Sequence, residues 1–329
     1  MKLLSRTVLI SLIIVACENN PPFSPKDELN CTNESYRLEG EKVFQSSFDN
    51  TEGRPAEAVT KLFGQDNQLG KISSWEGLDL HPLIGEFRIE YQGGSPGQRH
   101  AKVLCGAGDL FSPNYCSQGL ELMLKSPYIF EGGIASKGNV SAQLLDNTCI
   151  SQWYSKAQFY LETDFAYLQE WDQNWEELTI SEIWNNSIEK SEFPFSIKVD
   201  IVKNSQEDLV FKFSGQRHDT DEILWEEIVT DFAIPLKQKV LLELFVKEGD
   251  ESRGKFAATA TIEGQDRRQI IEIIHFTHHP ADSNPDGYDK LEPFKLATNS
   301  KVLNYLARDF RSLKVHWDNW EFWRNKSYF

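Results

Sequence analysis

The chain has 329 residues, with 34 Lys and Arg against 50 Asp and Glu, a formal net charge of −16. Nucleic acid and bulk anionic lipid both require clustered cations, so this balance excludes nucleic acid as a partner. With 40% hydrophobic residues the chain can bury a core, and 9 Trp, 10 Tyr and 21 Phe against 2 Met point to an aromatic-rich β protein.

The N-terminus reads as an address. Lys2 and Arg6 form a short basic region, and an apolar run from Val8 to Ala16 follows, broken by Ser11. That layout predicts a secretory signal over residues 1–16. The run ends in Ile14-Val15-Ala16-Cys17, which resembles the lipobox of bacterial lipoproteins. The resemblance implies cleavage before Cys17, a lipid anchor on its thiol, and a place in the cell envelope at the outer membrane. Several acyl chains on one residue hold firmly where a single chain is marginal. Residues 17–29 include Asn19, Asn20, Pro21, Pro22 and Pro25 and read as a flexible tether. Residues 30–329 then form a single domain.

Cys31, Cys105, Cys116 and Cys149 remain, an even number that suggests disulfides in an exported chain. Cys105–Cys116 would close a short loop around Gly106, Gly108, Pro113 and Asn114, leaving Cys31–Cys149. The other reading is four buried free thiols. No CxxC or Cys/His spacing suggests zinc.

Period-two alternation dominates the body. Glu86 to Tyr91 and Arg99 to Leu104 read as a hairpin across Gln92–Gly97. Phe195 to Val202 with Leu209 to Phe213 make a second, and Val240 to Val246 with Phe256 to Ile262 a third. Gln269 to Phe276 adds a further pairing, and Leu313 to Trp323 a last strand with a bend. Ser300 to Phe310 carries Val302, Leu303, Leu306 and Phe310 at helical spacing, and Ala56 to Phe63 suggests another short helix. Many antiparallel strands without a linker predict one all-β sandwich with one or two surface helices.

The order of LTISEIWNN (Leu178 to Asn186), FPFSIKVDI, FAIPLKQKVLLELFVKEGDESRGKFAATATIEG and LKVHWDNWEFW resembles the concanavalin-like β-jelly-roll of laminin-G-like lectin domains and of several polysaccharide lyase families. The resemblance covers about residues 70–325. It implies an antiparallel β-sandwich with a glycan lying across a concave sheet. The lyases place a Gln-x-His pair on a central strand, with Arg and Tyr or Lys nearby. A cation neutralises the uronate carboxylate while a base removes the C5 proton. Here Ser181-Glu182-Ile183-Trp184 stands where the pair is expected, with Glu for Gln and no His. Gln216-Arg217-His218 is a second candidate for it, at a strand end.

Glu182 and Trp184 share a strand face, and a carboxylate beside an indole suits a sugar, with Asn185 and Gln216 adding amides. Trp184 and Glu182 equally fit a core indole with a carboxylate at the rim. Arg99 can neutralise a carboxylate, with His100 or His218 as the base, or else lie on a solvated salt-bridged strand face. Asp282, Asn284, Asp286 and Gly287 match the opening of a calcium loop, which makes Ca²⁺ the candidate cofactor; Pro293 then breaks the pattern at its twelfth position. The same residues fit a plain Asx/Pro turn. His275, His278 and His279 stand just before them.

The expected function is that of an envelope lipoprotein acting on polysaccharide, by lyase-like β-elimination of an anionic uronate glycan. The alternatives are a non-catalytic glycan-binding lipoprotein on the same fold and an assembly lipoprotein whose aromatics are all core.

Overall fold

The computed structural model describes the backbone at 40–46, 48, 51–53, 59–60, 62–68, 71–74, 84–92, 98–105, 118–125, 136–144, 150–173, 175, 178–186 and 192–326. Side chains are described at 40, 42–46, 48, 98–104, 119–125, 150–173, 175, 178–186 and 192–326. The signal, Cys17, the tether and the cysteine pairings lie outside the described side chains.

The first strands are β1 (Glu41–Ser46), β2 (Thr51–Gly53), β3 (Val59–Thr60), β4 (Leu62–Gln68) and β5 (Lys71–Ser74). They are followed by β6 (Ile84–Gln92), β7 (Arg99–Cys105), β8 (Gln118–Lys125), β9 (Ser136–Leu144) and β10 (Gln152–Leu161). A 3₁₀ turn leads into α1 (Ala166–Glu170), then β11 (Leu178–Asn185), β12 (Phe195–Lys203), β13 (Leu209–Arg217) and β14 (Ile223–Ala233). The rest are β15 (Val240–Lys247), β16 (Lys255–Ile262), β17 (Arg268–Ile274), β18 (Lys290–Thr298), α2 (Ser300–Ala307) and β19 (Ser312–Arg324).

Two antiparallel sheets form a sandwich. Sheet one runs β17-β16-β15-β10-β19-β8-β7, with β1 also paired to β19. Sheet two runs β14-β13-β12-β11-β18-β9-β6-β3, and β2, β4 and β5 form a small sheet apart. The chain crosses between the large sheets after β6, β8, β9, β10, β14, β17 and β18, which is jelly-roll connectivity.

Alternation dictates the layers. On β12, Phe195, Ile197, Val199 and Ile201 are fully buried between the sheets, so Ser196, Lys198 and Asp200 face outward. Aromatic rings then tie one sheet to the other. Phe294 of β18 meets Trp317 and Trp320 of β19 at 5.3 and 5.2 Å, and Phe159 of β10 meets Phe211 of β13 at 6.0 Å. Such edge and tilted ring pairs add to simple area burial.

Two expectations are corrected. Glu86–Tyr91 and Arg99–Leu104 are strands but not a hairpin: β6 pairs with β9 in sheet two, and β7 pairs with β8 in sheet one. Alternation marks a half-buried strand without naming its neighbour. Within Ala56 to Phe63, where a helix is expected, the described residues are strand instead: β3 and the start of β4. The other hairpins, β12–β13 and β15–β16, form as read, and β17 adds to β16. The bend in the last strand is a bulge. Trp317 and Trp320 both point inward although three apart, and Asn319 between them takes φ +50°. Helix α2 buries Val302, Leu303 and Leu306, and Asn299 caps it by accepting from the Val302 amide. No described helix is long and apolar enough to cross a membrane.

Candidate functional site

The outer face of sheet two carries a polar network built by strand register. One row across the sheet places Lys290, Trp184, Ser196 and Gln216 side by side. The next places Glu292, Glu182, Lys198, Ser214 and Glu226 side by side. Neighbouring strands lie about 4.8 Å apart, so adjacent members of a row reach one another.

Gln216-Arg217-His218 is not a free turn. Gln216 and Arg217 are the last two residues of β13, and the His218 amide extends the ladder to Pro194 O at 2.9 Å. Period two then sends Gln216 and His218 to the same outer face. Gly215 just before them is required by packing: a Cβ there would stand 2.2 Å from Trp225 Nε1. That indole fills the space and donates to Phe276 O at 2.8 Å.

His218 is held from two sides. Its ring lies 4.6 Å from that of Trp184, and its Nε2 is 2.8 Å from Ser196 Oγ. Ser196 donates to Glu182 Oε1 at 2.8 Å, and Glu182 takes an ion pair from Lys295. A serine hydroxyl has one proton. With that proton on Glu182, Ser196 accepts from His218, which assigns the imidazole hydrogen to Nε2 and leaves the Nδ1 lone pair unbonded by any described residue. Burial holds the His218 pKa below the usual histidine value, against the pull of Glu182 and with that of Lys198. The ring is therefore neutral at neutral pH and able to take a proton.

Glu182 and Glu292 face each other across β11 and β18, 2% and 1% exposed. Two carboxylates so placed repel, and Lys295 bridges them, at 2.5 Å from Glu292. Burial pulls the Lys295 ammonium pKa down, but Glu182 and Glu292 outweigh it and hold it above its ordinary value. Lys290 adds a second cation 3.1 Å from Glu292. Lys198 Nζ donates to Gln216 Oε1 at 2.6 Å. Ser196, Lys198, Lys295 and Glu292 were missed in the sequence. Their signal was the polar half of the alternation in FSIKVDI and in Lys290 to Thr298.

The structure thus brings Glu182, Trp184, Gln216 and His218 together. Asn185 points the other way, donating to Glu248 Oε1 at 2.5 Å and Gly287 O at 2.9 Å. Arg99 and His100 are on β7 in sheet one and do not join His218. His100 Nε2 lies 2.6 Å from Glu121 Oε1 on the outer face of that sheet. His316 stands on the other side of Glu121, 3.5 Å away, and 3.1 Å from Glu162.

The 282–287 segment borders a cavity of about 470 Å³ at one end of the sandwich, together with Glu248, Asp250, Arg253 and His278. Asp282 Oδ1 accepts from the Asn284 amide at 3.0 Å and Oδ2 from Asn186 Nδ2 at 2.8 Å, an Asx turn tied to β11. The three histidines diverge: His279 Nε2 turns to Asp219 at 3.1 Å, His278 Nδ1 to a backbone carbonyl and His275 Nδ1 to the Phe276 amide. Among the described residues, no group of three His, Cys, Asp or Glu side chains is placed to hold a metal ion.

No protein-family model and no curated protein matches the sequence. Solved structures similar to it include the marine PL-14 alginate lyase from Aplysia kurodai, at 8% identity and TM-score 0.43, covering 71% of this chain and 89% of that one. Endo-β-1,4-glucuronan lyase from the fungus Trichoderma reesei is similar at 10% identity and TM-score 0.42, covering 70% and 89%. Alginate lyase Aly36B is similar at 9% identity and TM-score 0.40, covering 71% and 86%.

Proposed function

We propose that this chain acts on an acidic polysaccharide at the outer face of sheet two, by β-elimination at a uronate. The observation that carries the reading is the Gln216-x-His218 pair, set on one face, with the imidazole oriented through Ser196 and Glu182. In this scheme Lys198, beside Gln216, meets the uronate carboxylate and lowers the cost of carbanion character at C5. His218 Nδ1 takes the C5 proton. The C5–H electrons form the C4=C5 bond as the C4–O bond breaks, and the imidazolium returns its proton to the departing oxygen on the same face. Trp184 keeps water from one side of the base.

A second reading, glycan binding without cleavage, draws on a specific feature. Arg217, the arginine nearest His218 in sequence, is spent on Asp219 at 2.7 Å and Glu222 at 3.2 Å. The cation at the site is a lysine, which neutralises as a point charge rather than a fork.

The test is ultraviolet absorbance of the unsaturated uronate product, followed with the purified protein over a panel of polyuronates. A rise that disappears in His218→Gln supports elimination. Retarded migration in glycan gels without a rise supports the binding reading, and neither result would sink both.

We further propose that a lipid on Cys17 anchors the chain in the cell envelope, at the outer membrane. This rests on the sequence Ile14-Val15-Ala16-Cys17 behind a basic and apolar leader. Metabolic labelling with a fatty acid, lost in Cys17→Ser, checks it.

A further inference from the structure

Sheet one has its own polar outer face, and its charge is unbalanced. Tyr154, Lys156, Gln158 and Tyr160 point outward along β10, while Trp153, Ala157 and Phe159 point in. Glu321 of β19 stands opposite Lys156, and Trp323 opposite Tyr154. Lys42 of β1 lies on the far side of the same strand, opposite Trp323.

Three ammonium groups gather here, and two of them share one carboxylate. Lys42 and Lys156 flank Glu321 at 3.3 and 3.2 Å. Lys326 has no ion pair with any described residue; its Nζ rests over the Tyr154 ring at 3.8 Å and the Trp323 ring at 4.7 Å. Lys42 also lies over Trp323, at 4.8 Å. Glu321 is further committed to Trp323 Nε1 at 3.0 Å. Nearby Glu243 and Glu321 pull the Lys326 pKa the other way, but Glu243 makes no ion pair with it and is bonded to Arg267 at 2.6 Å, Thr259 at 2.8 Å and the Tyr154 hydroxyl. Burial, then Lys156, push the Lys326 ammonium pKa below its ordinary value. A chain of net charge −16 thus concentrates like positive charges at one place. Cation–π contact offsets part of that cost, and an anion lying among the three would offset the rest.

We propose that this face is a second binding surface for an acidic polysaccharide, whose carboxylate or sulfate groups are held by Lys42, Lys156 and Lys326. The rings of Tyr154 and Trp323 are engaged by ammonium groups, so they shape the cation cluster rather than offer a stacking platform. One step along β10, Gln158 accepts from Asn319 Nδ2 at 3.1 Å, and Asn319 is exposed. Amides beside cations suit the hydroxyl and carboxylate groups of a sugar chain, where a lipid headgroup would use the cations alone. The surface is on the opposite sheet from His218, so it does not rest on the elimination reading. A polymer held here is retained near the protein whether or not the other face cuts it, and two contacts on one polymer raise the effective affinity of each.

The test is affinity electrophoresis in gels containing polygalacturonate or alginate, with dextran as the neutral control and vesicles of anionic phospholipid in a parallel flotation assay. Lys156→Ala/Lys326→Ala should weaken polyuronate binding at least about tenfold, since it removes two of the three cations that face the anion. Binding should survive in His218→Gln/Lys198→Ala, in which any uronate cleavage is lost, so the two sites fail separately. Removing like charges should leave Tm unchanged or raise it; Lys326→Gln, which keeps most of the packing, guards against a folding defect in the double variant. Polyuronate binding as tight as wild type in the folded lysine variants would overturn the proposal. So would equal retardation by dextran, or binding to vesicles without binding to polyuronate.

Discussion

Glu248→Gln should make the protein more stable at alkaline pH and leave it unchanged in acid. Glu248 follows β15, and its Oε1 accepts from Asn185 Nδ2 at 2.5 Å and the Gly287 amide at 3.1 Å. Burial raises its carboxyl pKa to about 7 from an ordinary 4.5; the bonds from Asn185 and Gly287 oppose this, and Asp286 and Asp282 add to it. In the folded state the proton is therefore held up to about pH 7, and in the unfolded state only to about 4.5. Below 4.5 both states are protonated and the group is neutral to stability. Between the two values the folded state loses ground as pH rises, and above 7 the loss is complete. At about 1.4 kcal/mol per pH unit of separation, the full effect is at most about 3–4 kcal/mol. Glutamine keeps an acceptor oxygen for Asn185 and Gly287 but never ionises. Urea unfolding of both proteins from pH 4 to 9 measures the difference, in which other titrating groups cancel. A difference that stays flat across that range, or that favours wild type at pH 8.5, would refute the assignment of a strained carboxylate to this place.

Substituting His218 by Gln should lower uronate cleavage by about 10² to 10⁴-fold, the range of a lost general base, with glycan binding kept. In wild type the acid limb of the cleavage pH profile should fall below the usual histidine range, because burial lowers the His218 pKa. Lys295→Met strands two buried carboxylates, Glu182 and Glu292, and should cost about 3–5 kcal/mol in urea unfolding. Adding Glu182→Gln and Glu292→Gln to it should recover much of that. Gly287→Ala forces φ +103° and puts a Cβ 2.8 Å from Ile150 N, so it should lower Tm clearly. Gly264→Ala, at φ +79° with nothing within 4 Å, should cost only about 1 kcal/mol.

Local patterns announced the strands and local chemistry announced several site residues, but register joined them. β12 and β13 were legible because their apolar residues alternate on both sides of a short turn, and each such hairpin fixes its own pairing. β6 and β7 alternate as clearly, yet the chain crosses from one sheet to the other between them. Nothing within a strand records which sheet it joins. The same gap explains the site. Glu182, Trp184, Gln216 and His218 were each readable as chemistry, and Ser196 and Lys198 only as outward positions. Placing Ser196 between Trp184 and Gln216 needs the pairing of β11 with β12 and of β12 with β13. Lys295 required more still, since β18 reaches β11 from over a hundred residues away along the chain.

Charge balance separates the two outer faces. Around His218 the buried carboxylates Glu182 and Glu292 are answered by Lys295, Glu292 also by Lys290, and the neutral imidazole is held by Ser196. A closed network of this kind holds its members in one geometry, and a reacting group needs fixed position more than net field. Around Lys326 the charges are only partly answered: Glu321 pairs with Lys42 and Lys156, Lys326 pairs with no described residue, and two of the three ammonium groups lean on aromatic rings. An open excess of one sign does little to orient a reaction but attracts and holds an opposite charge. The two faces are therefore suited to different tasks on the same kind of polymer, positioning at His218 and capture at Lys326. Salt discriminates between them: raising ionic strength should release polymer from the lysine face, while the His218–Ser196–Glu182 relay, anchored on the buried Ser196 and Glu182, should keep its geometry.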